Sequence, residues 1–245
     1  MRLIVLGSGS SGNCYLLDGG KECLMVECGV PFFDVEKAIS FNTDKICGVL
    51  VSHEHGDHAG YIDCCINAFC DCYMSRGTML AMGLTDNTVN VMEPLAAYKI
   101  GDFYVEPFPV IHDSAQPFGF YITHKDCGHV VFATDTCSLD YDFKGVNNIM
   151  IECNYMENIL QENYRNGLIY RGRMERVRHS HLSLQSCLDF LKHTDLSAVN
   201  NIILMHLSQE NARAGLFQQI VARETGKNVI VAHKGLSMDF NVTPF

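Results

Sequence analysis

The 245-residue sequence lacks any apolar run of the roughly 18 to 20 residues that are needed to cross a bilayer. It also lacks the pattern of an export signal, a basic N-terminal segment followed by a long apolar stretch and a cleavage site. We therefore expect a cytoplasmic protein without a membrane-spanning segment.

Cysteine is abundant, but the spacings that would give it a metal-binding or redox role are missing. None of the twelve cysteines belongs to a Cys-x-x-Cys pair, and they are spread along a long chain. We expect reduced cysteines that pack as small apolar side chains rather than a disulfide framework. The densest group fits no zinc-finger spacing and is predicted to be structural; it comprises Cys64, Cys65, Cys70 and Cys72.

Basic residues are scarce. The formal net charge of −10 argues against broad nonspecific adhesion to nucleic acid, although a local basic surface remains compatible with it. One dense basic run is present, formed by Arg165, Arg171, Arg173, Arg176 and Arg178. The run is either a solvated face or a surface for substrate phosphates. In the second case Arg173, Arg176 and Arg178 are the candidates, since guanidinium groups bind phosphate in a bidentate manner.

The chain has no Walker phosphate-binding loop, because no glycine-rich segment ends in Gly-Lys-Ser or Gly-Lys-Thr. Residues 7–13 (GSGSSGN) follow the first predicted strand and are rich in glycine and serine. This segment is either a plain turn or a loop whose backbone N–H groups face an anion.

Composition and periodicity predict one α/β domain over residues 1–245. Hydrophobic residues make up 47% of the chain, enough for a sizeable core. Apolar runs between turn residues predict strands at 2–6, 14–17, 23–26, 46–51, 96–100, 103–108, 118–123, 129–133, 148–151, 201–205 and 228–231. Helices are predicted at 31–40, 59–69, 156–163, 184–192 and 210–224.

Potential metal ligands follow several of these strands. Four of them lie within six residues after the strand at 46–51, namely His53, His55, Asp57 and His58. Three more follow other strands, namely His112, Asp135 and His206. Any one of these histidines alone would more often be structural. Open α/β sheets place ligand sites at such strand ends, and together the seven residues predict a metal centre.

The ligands divide between two metal ions. In an extended segment His53 and His55 point to one side, and with His112 they would bind the first ion. Asp57, His58 and His206 would bind the second ion. Asp135 would bridge the two, because a carboxylate has two oxygens. We expect zinc, with manganese or iron as alternatives, since the donors are nitrogen and oxygen without thiolate.

Two divalent ions about 3.5 to 4 Å apart could hold a hydroxide that is deprotonated near neutral pH. The charge of two such ions, reduced by one each for Asp57, Asp135 and hydroxide, leaves +1. This net charge favours a monoanionic substrate such as a phosphodiester.

Cleavage of an ester or a phosphodiester also needs a proton for the leaving oxygen. His181 is not required as a ligand and is the candidate donor, with Glu152 orienting its imidazole. We count Asp57 with them as a catalytic residue. The other histidines are expected to be structural or solvated, namely His124, His129, His179, His193 and His233.

Seven segments resemble the metallo-β-lactamase fold hydrolases, and within that superfamily the WalJ (YycJ) type of exonuclease. They lie in the expected order at 6–14 (LGSGSSGNC), 51–58 (VSHEHGDH), 112–114 (HDS), 134–136 (TDT), 152–154 (ECN), 181–183 (HLS) and 206–211 (HLSQEN). The resemblance implies a four-layer αββα sandwich with a dinuclear site at one edge. It supports the ligand assignment, and it implies exonuclease activity on DNA 5′ ends.

The sequence departs from the pattern of this family at three positions. Glu27 stands where the family usually has aspartate, and its longer side chain could shift the support of the metal ligands. Cys137 and Ser180 each stand where the family usually has glycine.

These observations predict a metal-dependent phosphodiesterase, a nuclease acting at an end of DNA or RNA. A small-molecule hydrolase of the same fold, acting on a cyclic phosphodiester, lactone or thioester, is the alternative. A non-enzymatic metal-binding sensor is a third hypothesis.

Overall fold

Two seven-stranded β-sheets form the centre of this computed structural model, which describes residues 1–243. The first sheet has the strand order β14 (Ser237–Asp239), β1 (Arg2–Gly7), β2 (Cys14–Asp18), β3 (Cys23–Val26), β4 (Ile46–Leu50), β5 (Cys72–Ser75) and β6 (Asn90–Met92). The second has the order β13 (Asn228–Val231), β12 (Asn201–Met205), β11 (Val146–Glu152), β10 (Gly128–Ala133), β9 (Phe118–His124), β8 (Phe103–Pro109) and β7 (Tyr98–Ile100).

Helices cover the outer faces of both sheets. Those against the first sheet are α1 (Phe32–Ala38), α2 (Gly56–Ala59), α3 (Ile62–Asn67) and α4 (Arg76–Ala81). The remaining helices are α5 (Glu157–Arg165), α6 (Arg171–Ser180), α7 (Leu184–His193) and α8 (Ala214–Thr225), of which α7 and α8 pack on the second sheet. In the described part of the chain, no helix has the length and apolarity of a membrane span. The predicted αββα sandwich is confirmed.

The main core lies between the two sheets. Alternating side chains of each strand point inward, and β2 contributes Tyr15 while β9 and β10 contribute Phe120 and Phe132. The Tyr15 and Phe132 rings meet edge to face at 5.5 Å between centroids. Eleven of the twelve cysteines are buried or partly buried, in this core or in the outer layers, and all twelve are free, as expected.

The direction of the strands brings the candidate ligands together. Strands β3 to β6 are parallel to one another, and so are β10 to β13. Their carboxyl ends therefore meet at one edge of the sandwich, which is where α/β sheets bind ligands. β4, β10, β11 and β12 each lead into a segment with a candidate site residue.

Two predicted helices differ from the observed ones. The single helix predicted at 59–69 is wrong: α2 ends at Ala59 and α3 begins at Ile62, because the backbone N–H of Tyr61 bonds to the carbonyl of Cys28 instead of continuing a helix. The last helix begins at Ala214 instead of residue 210. The backbone carbonyl of Glu210 accepts a hydrogen bond from the Asn163 side chain in α5. The backbone carbonyl of Asn211 accepts one from the N–H of Met156, the residue before α5.

Four of the five arginines of the basic run lie in α6, a helix that the sequence pattern did not predict. α6 contains only Met174 and Val177 as apolar residues, so its sequence has no clear amphipathic repeat. These two side chains pack with Tyr155, Leu160 and Ile169 in a small cluster beside α5. This packing fixes the arginine-bearing face toward solvent.

Candidate active site

The site is built from backbone turns that follow strands. Glu27, Asp135 and His206 come directly or shortly after β3, β10 and β12, and each has a positive φ, of 66°, 39° and 52°. Non-glycine residues rarely adopt this conformation, which costs of order 1 to 3 kcal/mol. The structure around these three candidate site residues therefore holds their backbone in an unfavourable conformation, as it also does at four residues outside the site.

His53, His55 and His112 form a first cluster of nitrogen donors. His55 Nδ1 lies 3.1 Å from His53 Nε2 and 3.1 Å from His112 Nε2. Zinc–nitrogen bonds of about 2.0 to 2.1 Å place tetrahedral ligands about 3.3 Å apart. The spacing therefore suits three ligands of one metal ion.

Asp57, His58 and His206 form a second cluster. Asp57 Oδ2 lies 3.3 Å from His206 Nε2 and 3.5 Å from His58 Nε2. These separations again suit ligands of one ion.

Asp135 lies between the two clusters. Its Oδ2 is 3.4 Å from His58 Nε2, 3.5 Å from His112 Nε2 and 3.9 Å from His53 Nε2. One carboxylate thus reaches donor atoms of both clusters. The structure brings together all seven residues that the sequence singled out as ligands.

Several polar groups orient these side chains, and the sequence reasoning did not assign them. His112 Nδ1 donates to the carbonyl of Ser180 at 2.7 Å, which leaves Nε2 free as a donor atom. Ser52 Oγ lies 2.8 Å from His53 Nδ1, and buried Asn13 Nδ2 lies 3.2 Å from His58 Nε2. Adjacency to His53 is the one signal that could have indicated Ser52. The Ser180 contact uses the backbone carbonyl, so it does not depend on the side chain at this position.

Glu27 lies behind His58. Its Oε1 is 3.5 Å from His58 Nδ1, and Oε2 accepts from the backbone N–H of Ser52 at 3.4 Å. Glu27 Oε1 and His58 Nδ1 are both buried without a hydrogen bond. The Glu27 side chain therefore reaches His58, the ligand that it would support, but the 3.5 Å contact is longer than a hydrogen bond.

Buried carboxylates dominate the electrostatics. Burial lowers the pKa of His58 and His206, but the surrounding carboxylates, Asp135 foremost, together outweigh it, and the pKa of His206 rises to about 10. Burial lowers the pKa of His53 and of His112, which keeps both rings neutral. Among the described residues no lysine or arginine pairs with Glu27, Asp57, Asp135 or Glu152.

Cations fit this arrangement. Seven nitrogen and oxygen donors converge, and in the described part of the chain the buried carboxylates have no lysine or arginine partner. The Glu27 and His58 atoms without hydrogen bonds indicate that the chain alone does not satisfy the cluster. The residues present therefore fit a divalent metal site.

His181 and Glu152 form a pair beside the clusters. His181 Nδ1 lies 2.7 Å from Glu152 Oε1, while Glu152 Oε2 accepts from the backbone N–H groups of Thr136 and Leu182, each at 3.0 Å. Burial raises the pKa of Glu152, but His181 and His206 together offset this and the net shift of the pKa is downward. Burial lowers the pKa of His181, and the Glu152 carboxylate reverses the effect and raises it.

A cavity of about 390 Å³ opens above the clusters. It is lined by His181, by the exposed ligand edges, and by Arg173 and Arg176 of α6. Arg173 pairs with Glu210 at 2.8 Å and Arg176 with Asp113 at 2.8 Å. Arg178 does not line the cavity. It is held on the side of α6 next to α5 by Glu157 and Glu175, so the structure does not bring this third predicted arginine to the site.

The loop at 7–13 supports the site through its side chains. Gly9 N donates to Asn13 Oδ1 at 2.8 Å and Gly12 N to the carbonyl of Gly9 at 2.9 Å, so these N–H groups do not face an anion. Ser8 Oγ accepts from the backbone N–H of His206 at 3.1 Å, and Ser10 lines the cavity. Residues 7–12 have Gly-x-Gly-x-x-Gly spacing but lead into strand β2 rather than a helix, which argues against a dinucleotide site.

Comparison with known proteins agrees with this geometry. Residues 7–62 match the family model of the metallo-beta-lactamase superfamily. Exodeoxyribonuclease WalJ of Streptococcus pneumoniae is 27% identical over 255 residues, covering 97% of this chain and 91% of that protein. Exodeoxyribonuclease YycJ of Bacillus anthracis is 26% identical over 241 residues, covering 89% and 87%.

A solved structure supports the fold independently. The metallo-beta-lactamase fold protein YhfI from Bacillus subtilis superposes with a TM-score of 0.72 at 18% identity, covering 97% of this chain and 98% of that one. The resemblance inferred from the seven sequence segments is thus confirmed. The chain has the fold of the metallo-β-lactamase superfamily, matches the model of that superfamily over residues 7–62, and is similar over most of its length to the WalJ and YycJ exodeoxyribonucleases.

Proposed function

We propose that this metal-dependent hydrolase is a phosphodiesterase that cleaves nucleotides from an end of a nucleic acid strand, with DNA as the first substrate to test. The observation that carries the proposal is the position of Asp135, whose Oδ2 reaches donor atoms of both ligand clusters. The similarity to two exodeoxyribonucleases supports the choice of substrate.

Two divalent ions would be held at this site. His53, His55 and His112 would hold one, Asp57, His58 and His206 the other, and Asp135 would contact both. When bound, such ions stabilise negative charge on phosphate and lower the pKa of water toward neutrality. We expect zinc, with manganese or iron as alternatives.

His181 would supply the proton for the leaving oxygen. Its Nδ1–H donates to Glu152, so Nε2 is the atom that can exchange a proton with the substrate. The raised pKa of His181, caused by the Glu152 carboxylate against the effect of burial, keeps that proton available nearer to neutral pH. Two backbone N–H groups keep Glu152 ionised and fixed.

Arg173 and Arg176 would bind phosphates that flank the cleaved bond. They are 46% and 61% exposed, so their ion pairs with Glu210 and Asp113 are worth little and can exchange for phosphate. A polymer has such flanking phosphates, whereas a small cyclic diester does not.

Cleavage of 5′-labelled single- and double-stranded DNA by metal-loaded protein tests the proposal. We expect shortened labelled products with at least one of zinc, manganese or iron(II), and none above background for Asp57→Ala. Equal cleavage by wild type and Asp57→Ala, or no cleavage by wild type with any of these metals, would refute it.

A small-molecule hydrolase is the second candidate, because a cavity of about 390 Å³ would enclose a ligand of modest size. The Arg173→Ala/Arg176→Ala double variant separates the two. For a nuclease we expect kcat/KM for an oligonucleotide to fall about 100-fold more than for a small chromogenic diester, roughly tenfold for each lost charge-assisted contact.

The control for this comparison is Lys192→Ala/Arg223→Ala. It removes the same charge from α7 and α8, where both side chains pair with Glu224 outside the cavity. An equal loss for both substrates in the cavity variant would favour the small-molecule function.

Glu27→Gln tests the support of the second metal position. The substitution keeps the shape but removes the negative charge that faces His58 Nδ1. We expect metal affinity at one of two sites to fall roughly 10- to 100-fold, as for other residues that orient metal-bound histidines. Competition with a chromogenic chelator measures it, with Glu106→Gln on the exposed face of β8 as control. Unchanged affinity would show that the loose Glu27 contact contributes nothing.

A further inference from the structure

Helix α6 connects the proton donor to an exposed aromatic ring. Tyr170, Arg173 and Arg176 recur at intervals of three residues, and Val177 and His181 continue the same face to the catalytic cavity. Tyr170 immediately precedes the helix and is 72% exposed. Eleven residues at 1.5 Å each place Tyr170 about 16 Å from His181 along the helix axis.

The cavities follow the same direction. An adjoining cavity of about 330 Å³ shares Ser10, Arg173 and Ser208 with the catalytic cavity but does not include Arg176 or His181. Open space therefore continues from His181 past Arg176 to Arg173, where residues 8–11 and 207–210 form the facing wall. Tyr170 is one helical turn beyond Arg173.

The Tyr170 ring lies against the backbone of α6. A Cβ at Gly172 would lie 3.0 Å from Tyr170 Cε2, so the ring rests on the helix backbone at the point where a side chain is missing. Ile169, the preceding residue, is buried with Met174 and anchors the segment. An aromatic face presented in this way needs little further ordering to bind a planar partner.

We propose that Tyr170 is a stacking platform for a base of the substrate strand, several nucleotides away from the cleaved bond. The inference rests on the proposed nuclease function and specifies the form of its substrate. Guanidinium groups for the backbone next to an exposed aromatic ring are the combination that binds single-stranded nucleic acid. At roughly 3.4 Å per stacked nucleotide, the strand would reach Tyr170 after about five nucleotides, or fewer if it is extended.

The sequence contains no tryptophan, which gives the proposal a direct spectroscopic test. Tyr170→Trp introduces a single fluorophore, and His181→Ala in the same chain keeps the strand from being consumed. We expect a hexanucleotide to quench this fluorescence, and an abasic hexamer with the same backbone to quench it at least tenfold less. A dinucleotide should not quench it. Tyr104→Trp is the matched control, because Tyr104 is a half-exposed tyrosine on β8 that lines neither the catalytic nor the adjoining cavity.

Binding provides the second measurement. Loss of one base stack weakens single-strand binding roughly 5- to 100-fold. We expect Tyr170→Ala to lower the affinity for the hexanucleotide by this factor, Tyr170→Phe to retain it, and the affinity for the abasic hexamer to change less than twofold.

The outcomes separate this proposal from the nuclease proposal. Equal quenching by the base-bearing and abasic strands, or no quenching by either, overturns the role of Tyr170. If wild type nevertheless cleaves the hexanucleotide, the nuclease function stands and the strand leaves the cavity by another route. If it does not cleave the strand, both proposals fail.

Discussion

Asp135→Asn is expected to abolish cleavage, with a loss of more than about 1,000-fold in kcat. The substitution removes the carboxylate that reaches both ligand clusters, so the effect should exceed the 10- to 100-fold cost of losing a residue that only supports ligands. Asparagine is chosen because residue 135 has a φ of 39°, which asparagine tolerates better than alanine does. Elemental analysis should show fewer than two metal ions per chain.

The control is Asp142→Asn, which changes an exposed carboxylate paired with Lys144. It should bind metal and cleave DNA as wild type does. Circular dichroism should show both variants folded. A folded Asp135→Asn variant with two bound metal ions and near-normal kcat would contradict the bridging role.

His181→Ala is expected to lower kcat by roughly 10²- to 10⁴-fold, the usual contribution of a positioned general acid. Metal content should remain unchanged, because the seven proposed ligands do not include His181, whose Nδ1 is bonded to Glu152 Oε1 at 2.7 Å. Substrates with a good leaving group, such as a nitrophenyl diester, should be affected least because their leaving oxygen needs no proton. The ratio of kcat between DNA and the nitrophenyl diester is the diagnostic quantity.

Glu152→Gln completes this test. It keeps a hydrogen-bond partner for His181 Nδ1 but removes the charge that raises the pKa of His181 against the effect of burial. We expect an intermediate loss of kcat for DNA. An equal loss for DNA and for the nitrophenyl diester in His181→Ala, or a loss of bound metal, would place His181 among the ligands instead.

Much of the fold could be predicted because its signals are local. Apolar runs such as residues 201–205 and 228–231 coincide with β12 and β13, and Ser183 caps α7 by accepting from Ser186 N. The helix predictions were wrong where contacts between segments distant in sequence decide the structure. The carbonyl of Cys28, far away in sequence, ends the helix at 56–59, and no local pattern encodes that contact.

In the candidate site, too, some features could be predicted from the sequence and others could not. Ligands could be predicted since each follows a strand and the direction of parallel strands gathers them at one edge. The contacts that the arginine side chains of α6 make could not be predicted. Arg173 and Arg178 look alike in sequence, yet one lines the cavity and the other is held by Glu157 and Glu175 on the other side of the helix. Which arginine faces the cavity depends on helical phase, and the helix itself was not predicted.

Titration of metal-free protein with zinc or manganese, with cleavage of 5′-labelled DNA followed in the same samples, tests the central claim most directly. We predict that the protein binds two ions per chain and that cleavage, absent in chelator, develops as the second ion binds. Full cleavage in chelator, or binding of two ions with no cleavage of any DNA strand, would contradict a dinuclear nuclease.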